Sequence, residues 1–226
     1  AATGKPVVLV IFAGRPMVLR DAAPKAQAVL WAYSPGTMGG AALTDLILGE
    51  ANPSGRLPMS LPRAVGQVPI SYDRLPTGRP WKPGDQLSTR YVDEEITPLW
   101  PFGFGLSYTR FAFSPAEVAK PRLTRAETLT VSTTVTNTGK RRGRESVQLY
   151  THDVVASRSR PRRELKAFAM VELDPGESRR VTLEVPIAEL AFHDDAGRAV
   201  VEPGRFEVFI GPDSDTENRA EFTVVE

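Results

Sequence analysis

The periodicity of the apolar residues changes once along this chain, and the change falls at residues 98–111, Pro-Leu-Trp-Pro-Phe-Gly-Phe-Gly-Leu-Ser-Tyr-Thr-Arg-Phe. Before it come continuous apolar runs and one helical pattern; after it apolar and polar residues alternate. A continuous run suits a strand covered on both faces, whereas period-two alternation suits a strand with one wet face. The two patterns need different layer architectures, so the chain divides into an α/β part over 1–97, a connector over 98–111 and an all-β part over 112–226. The prolines, glycines and aromatic rings of the connector favour a fixed irregular crossing over a helix or a regular strand.

Residues 6–12 form an apolar run that stops at Ala13-Gly14-Arg15-Pro16, and residues 28–33 repeat the pattern before Ser34-Pro35-Gly36. Both read as strands of a parallel sheet. Residues 17–27 leave room only for a short helix. A longer helix is expected over residues 39–49, where Ala42, Leu43, Leu46 and Ile47 share one face. The turn Asn52-Pro53-Ser54-Gly55 then leads into a third expected strand at residues 57–61. Three strands make a poor parallel sheet, since such sheets are covered on both faces and usually larger. The rest of this layer is expected to precede residue 1, and without it the strands at 6–12 and 28–33 would expose apolar faces.

Residues 62–100 have no sustained period and are rich in Pro, Gly, Arg and aromatic residues. A long irregular segment in a compact protein is usually functional or wrongly assigned. Its side chains include Tyr72, Arg79, Trp81, Arg90, Tyr91, Asp93, Glu94 and Glu95, a composition shared by binding loops and by a linker wrapped over its domain.

Beyond residue 111, strands are expected at 129–136, 145–152, 165–173, 179–185, 205–210 and 221–225. Turn sequences such as Asn137-Thr138-Gly139-Lys140, Asp174-Pro175-Gly176-Glu177 and Glu202-Pro203-Gly204 separate them. Six or seven short strands at this spacing define a two-sheet β-sandwich of immunoglobulin-like or fibronectin type III-like form. The chain has no cysteine, which favours the fibronectin-like variant.

Twenty-eight basic and 27 acidic residues leave a net charge of +1, so there is no electrostatic case for nucleic acid or an anionic membrane as partner. The basic blocks at Lys140–Arg144 and Arg158–Arg163 read as solvated loops. No run reaches the ~18 apolar residues of a membrane span. The two histidines, His152 and His193, have no third ligand at useful spacing, and no metal or cofactor is expected. Gly36-Thr37-Met38-Gly39-Gly40 lacks the lysine of a phosphate-binding loop and reads as a packing turn. Asp93, Glu94 and Glu95 are the one carboxylate cluster in the irregular segment, but they complete no active site.

Several motifs occur together and in order: Lys5-Pro6-Val7-Val8-Leu9-Val10, Ala13-Gly14-Arg15-Pro16, Asn52-Pro53-Ser54-Gly55-Arg56-Leu57-Pro58, Gly66-Gln67-Val68-Pro69, Thr77-Gly78-Arg79-Pro80, Arg90-Tyr91-Val92-Asp93 and Pro101-Phe102-Gly103-Phe104-Gly105-Leu106-Ser107-Tyr108-Thr109. With Val135-Thr136-Asn137-Thr138-Gly139, and Arg160-Pro161 leading into Leu165-Lys166, they make the chain resemble the C-terminal half of glycoside hydrolase family 3. The resemblance covers essentially all 226 residues and is strongest to the bacterial periplasmic β-glucosidases of that family.

What the resemblance implies is a multidomain α/β plus all-β protein: the C-terminal part of an α/β sandwich followed by a fibronectin type III-like β-sandwich. It implies part of a retaining β-glucosidase acting on a β-glucoside or cello-oligosaccharide, in a periplasmic or secreted location. Retention uses two carboxyl groups about 5 Å apart, a nucleophile and an acid/base. By resemblance the nucleophilic Asp lies on a barrel, and the acid/base Glu lies in a region preceding residue 1. No catalytic residue is therefore expected in this chain, and the N-terminal barrel-bearing portion, on the same or a separate chain, is the expected partner. A homodimer is also compatible. Arg79, Trp81, Arg90 and Asp93 are the candidate substrate-binding residues, placed toward the aglycone or a subunit interface. The competing reading is a stand-alone carbohydrate-binding or adhesive module that stacks sugars on Trp81 and Tyr72.

Overall fold

The computed structural model describes residues 1–82 and 84–226; Pro83, inside the 79–95 segment, lies outside the described residues. Two strands open the chain, β1 (Val8–Ile11) and β2 (Ala28–Trp31), paired in parallel from Val8↔Ala28 to Ile11↔Trp31. Between them residues 17–27 hold a single 3-10 turn, Ala23–Lys25, with Pro24 supplying the fixed φ of its first residues. Helix α1 (Gly39–Leu48) follows β2.

This layer does not bury its apolar residues within the described chain. Ile11 is buried, but Val8 and Phe12 are 42% and 63% exposed, and Ile47 and Leu48 of α1 also face outward. Continuous apolar strands of the kind expected to be covered on both faces are here open on one.

The third expected strand, residues 57–61, does not join β1 and β2. It runs extended against the connector instead. Leu57 N–H donates to Phe104 O at 2.9 Å and Leu57 O accepts from Gly103 N–H at 2.7 Å; Leu61 and Trp100 form an antiparallel bridge. Leu61 is fully buried. The extended conformation was legible in the apolar pattern, but the partner was not, because it lies some forty residues downstream.

From residue 111 the chain builds a sandwich. One sheet holds β3 (Phe111–Phe113), β4 (Glu117–Val118), β6 (Thr128–Asn137) and β9 (Ser178–Pro186). The other runs β5-β13-β12-β7-β8, with β5 (Arg122–Thr124), β7 (Gly143–Asp153), β8 (Glu164–Leu173), β12 (Gly204–Gly211) and β13 (Arg219–Val225). A small hairpin, β10 (Phe192–His193) with β11 (Ala199–Val200), closes around Asp194-Asp195-Ala196-Gly197. Alternation explains the core: Leu129, Val131 and Val135 of β6 meet Val147 and Leu149 of β7, and Phe206, Val208, Ile210, Phe222 and Val224 complete it. Each such side chain contributes roughly 1.5–3 kcal/mol of burial.

Strand β7 departs from simple alternation, because both of its faces are buried. Ser146, Gln148 and Tyr150 lie opposite the core residues and are buried as well. They are covered by the first part of the chain. Tyr72 stacks on Phe102 at 4.4 Å and meets Tyr150 edge-on at 5.8 Å. The Tyr150 hydroxyl donates to Gln148 Oε1 at 2.6 Å, and Gln148 Nε2 donates to Pro212 O and toward Gly103 O. Burial pushes the Tyr150 phenol up, so it stays a neutral donor. Gly103 is required here: its φ is +82°, and a Cβ would lie 2.4 Å from Gln148 Oε1.

Candidate functional site

Three side chains tie down the chain around the irregular segment, Asn52 and Arg56 ahead of it and Gln67 within it. Asn52 Nδ2 donates to Arg142 O at 2.9 Å, while its Oδ1 accepts from Ser107 Oγ and Tyr108 N–H. Arg56 forms a buried ion pair with Glu145 of β7, with both side chains less than a tenth exposed. Burial pushes the Glu145 carboxyl up and Arg56 opposes the shift, as expected for a charge held in a poorly solvated site by one partner. The third anchor is Gln67: its Oε1 accepts from Arg63 N–H at 2.6 Å and its Nε2 donates to Glu95 O at 2.7 Å.

Between Gln67 and Glu95, residues 77–82 and 84–87 are exposed and Ser88 is buried. This stretch is pinned by Thr89 N–H donating to Arg79 O at 2.8 Å and by a Thr77–Thr89 hydroxyl contact at 2.9 Å. Its base folds against the sandwich loop that follows β7, where Arg162 N–H donates to Arg74 O at 3.3 Å. The result is a groove of about 250 Å³ whose charged and aromatic lining is Arg74, Arg90, Arg162, Trp81 and Tyr91. Trp81 is 42% exposed and offers ring surface to solvent. The guanidinium of Arg74 is held below its ordinary value, first by burial and then by the neighbouring charge of Arg162.

Of the four residues singled out in the sequence, the fold brings two together: Trp81 and Arg90 line this groove. Arg79 contributes its carbonyl to the loop and leaves its side chain exposed. Asp93 is exposed and is not among the lining residues. Its neighbour Glu94 pairs with Arg20 at 2.8 Å, so the carboxylate cluster acts in part as an arginine-pairing site. Arg162 was missed as a groove residue because it lies more than seventy positions from Arg90, inside a basic block that reads as solvated.

The remaining candidates form no site with one another among the described residues. His152 Nδ1 lies 2.9 Å from Pro161 O, and His193 is exposed on β10. Among the described residues no group of three or more His, Asp or Glu is placed to hold a metal ion. Gly39 sits at the start of α1 because a Cβ there would lie 2.5 Å from Pro35 Cγ. No helix is long and apolar enough to cross a membrane among the described residues.

An open parallel α/β layer joined through a buried ion pair and an aromatic plate to a β-sandwich is the arrangement that two family models match. Residues 1–108 match the glycosyl hydrolase family 3 C-terminal domain, and residues 145–214 match the fibronectin type III-like domain. In order along the chain, residues 1–108 are thus similar to a family 3 C-terminal domain and residues 145–214 to a fibronectin type III-like domain.

Among curated relatives, a periplasmic beta-glucosidase of Salmonella typhimurium is 46% identical over 94% of this chain and 28% of its own length. A beta-xylosidase of Formosa agariphila is 39% identical over 94% of this chain and 29% of its own length. Among solved structures, a beta-glucosidase from Listeria innocua in complex with glucose superposes with a TM-score of 0.95 at 38% identity, covering all of this chain and 32% of that one. The chain thus spans less than a third of the length of each of these proteins.

Proposed function

We propose that this chain is the C-terminal portion of a retaining β-glucosidase that releases terminal β-D-glucosyl residues from oligosaccharides or glucosides. The observation that carries this is the fit to beta-glucosidases more than three times its length, from end to end of the chain. In this reading the nucleophilic Asp and the acid/base Glu lie on the barrel-bearing portion, whether on the same or a separate polypeptide. That portion covers the exposed apolar residues of β1 and α1. Residues 1–97 complete its α/β sandwich, 98–111 form the joint and 112–226 brace it.

Retaining hydrolysis needs two carboxyl groups about 5 Å apart, held rigidly around one anomeric carbon. This chain's contribution is positional. The Arg56–Glu145 pair and the Tyr72–Phe102–Tyr150 plate tie the loops of the α/β layer to the sandwich. The segment carrying Arg79, Trp81, Arg90 and Asp93 faces the aglycone side or a subunit contact, where guanidinium groups bond hydroxyls and an indole stacks on a sugar ring. The Salmonella relative supports a periplasmic or secreted location. A beta-xylosidase at 39% identity supports the view that this portion carries little of the choice between a glucosyl and a xylosyl unit.

Intact-mass measurement of a preparation active on cellobiose tests the reading. Activity is expected only where the mass includes a barrel-bearing portion, and cellobiose hydrolysis by the 226-residue chain alone would refute it. Trp81→Ala in the complete enzyme should change aglycone preference or oligomeric state; unchanged kinetics and size would remove the segment from the substrate.

A further inference from the structure

The groove beside Trp81 collects an arginine, Arg162, that differs from its neighbours in the same basic block in having no acidic partner among the described residues. In the block from Arg158 to Arg163, Arg158 pairs with Asp195, Arg160 with Glu164 at 2.9 Å and Arg163 with Glu217 at 3.3 Å. Arg162 makes no ion pair among the described residues, and neither do Arg74 and Arg90. These three line the same concavity, with no carboxylate among its lining residues. The whole chain carries a net charge of only +1, so the excess is local. Arg74 and Arg162 also oppose each other electrostatically.

Like charges converging on a recess with apolar walls raise the local potential and favour an anion. Guanidinium groups match a carboxylate bidentately, which an ammonium does not do. The aromatic rings narrow the ligand class further. Trp81 and Tyr91 flank the arginines and present the surface on which a sugar ring stacks. A volume of about 250 Å³ falls below the ~300–1,000 Å³ of drug-sized sites and matches a single ring.

We propose that this groove binds a carboxylate-bearing saccharide unit such as a uronic acid residue, its carboxylate held by Arg162 with Arg74 and Arg90 and its ring against Trp81. The ligand class differs from the neutral glucoside of the proposed reaction, and the inference stands on the groove alone. An acidic protein segment carries the same carboxylate chemistry, and the experiment separates the two sources.

The test is titration of D-glucuronate into the complete protein containing this chain, with D-glucose saturating so that any glucosyl pocket is already filled. Binding is expected, weakening as ionic strength rises and falling about tenfold or more in Arg162→Gln. Arg162→Lys should keep more of it than Arg162→Gln, and Arg90→Gln is an independent second variant. Absence of binding in the unaltered protein, or binding in Arg162→Gln and Arg90→Gln as tight as in the unaltered protein, overturns the proposal. A change of assembly mass in Arg162→Gln with no glucuronate binding overturns it in favour of an acidic protein segment. Cellobiose hydrolysis is measured in parallel: hydrolysis without glucuronate binding refutes this inference alone, and glucuronate binding without hydrolysis refutes the glucosidase reading alone.

Discussion

Leu149 in β7 and Ile47 in α1 are similar side chains in regular elements of one chain, yet Leu149 is fully buried and Ile47 is 47% exposed. The difference lies in how each architecture closes. The sandwich supplies both walls of its core from strands lying within residues 112–226, so 115 residues suffice for a core from Leu123 to Val224. A parallel layer needs more strands and helices on both faces, and β1, β2 and α1 do not supply them. Stability in this chain should therefore reside in the sandwich and the joint, and only weakly in the α/β layer.

The comparison is broken most easily at the joint. Arg56→Met strands the buried Glu145 carboxylate, and a loss of about 3–5 kcal/mol is expected by chemical denaturation. Burial raises the Glu145 pKa and Arg56 opposes that shift, so removing Arg56 raises it further. The loss should shrink as pH falls toward the ordinary glutamate value of 4.5 and be full at neutral pH. Adding Glu145→Leu should recover much of the loss; no recovery would mean that the pair is not the source of the effect.

Next in size is Leu149→Ala, expected to cost about 2–5 kcal/mol, against under about 1 kcal/mol for Ile47→Ala in the isolated chain. Comparable costs at the two sites would contradict the division of stability drawn above. Gly103→Ala follows, at about 1–3 kcal/mol, through its positive φ and the contact with Gln148; a neutral effect on the melting temperature would show that the connector is not held against β7. The smallest effect is a pH dependence. Hydrogen bonds from Lys120 and from the Thr124 N–H lower the Glu127 carboxyl to about 2. Its contribution is present above the ordinary value of 4.5 and disappears as pH falls through about 2. Glu127→Gln should lower the melting temperature at neutral pH, and the gap should close across that acid range.

What was legible in the sequence follows the same division. Strands β6, β7, β8, β9, β12 and β13 were visible to within a few residues, because alternation and turns such as Asp174-Pro175-Gly176 are local signals. Strands β3, β4 and β5 were not: two or three residues carry no period, and β6 and β13 select them as partners. The extended state of residues 57–61 was readable, but its pairing with the connector depends on tertiary contact. The groove was half legible. Trp81 and Arg90 stood out as unusual residues in an irregular segment, whereas Arg162 and the Arg56–Glu145 pair, separated by 89 positions, exist only once the two parts pack.

Hydrogen exchange of the 226-residue chain alone, compared with the same residues in the complete enzyme, tests the central claim most directly. The account predicts equal slow exchange of β6, β7 and β12 in both forms, with β1, β2 and α1 protected only in the complete enzyme. Equal protection of β1, β2 and α1 in the isolated chain would contradict it.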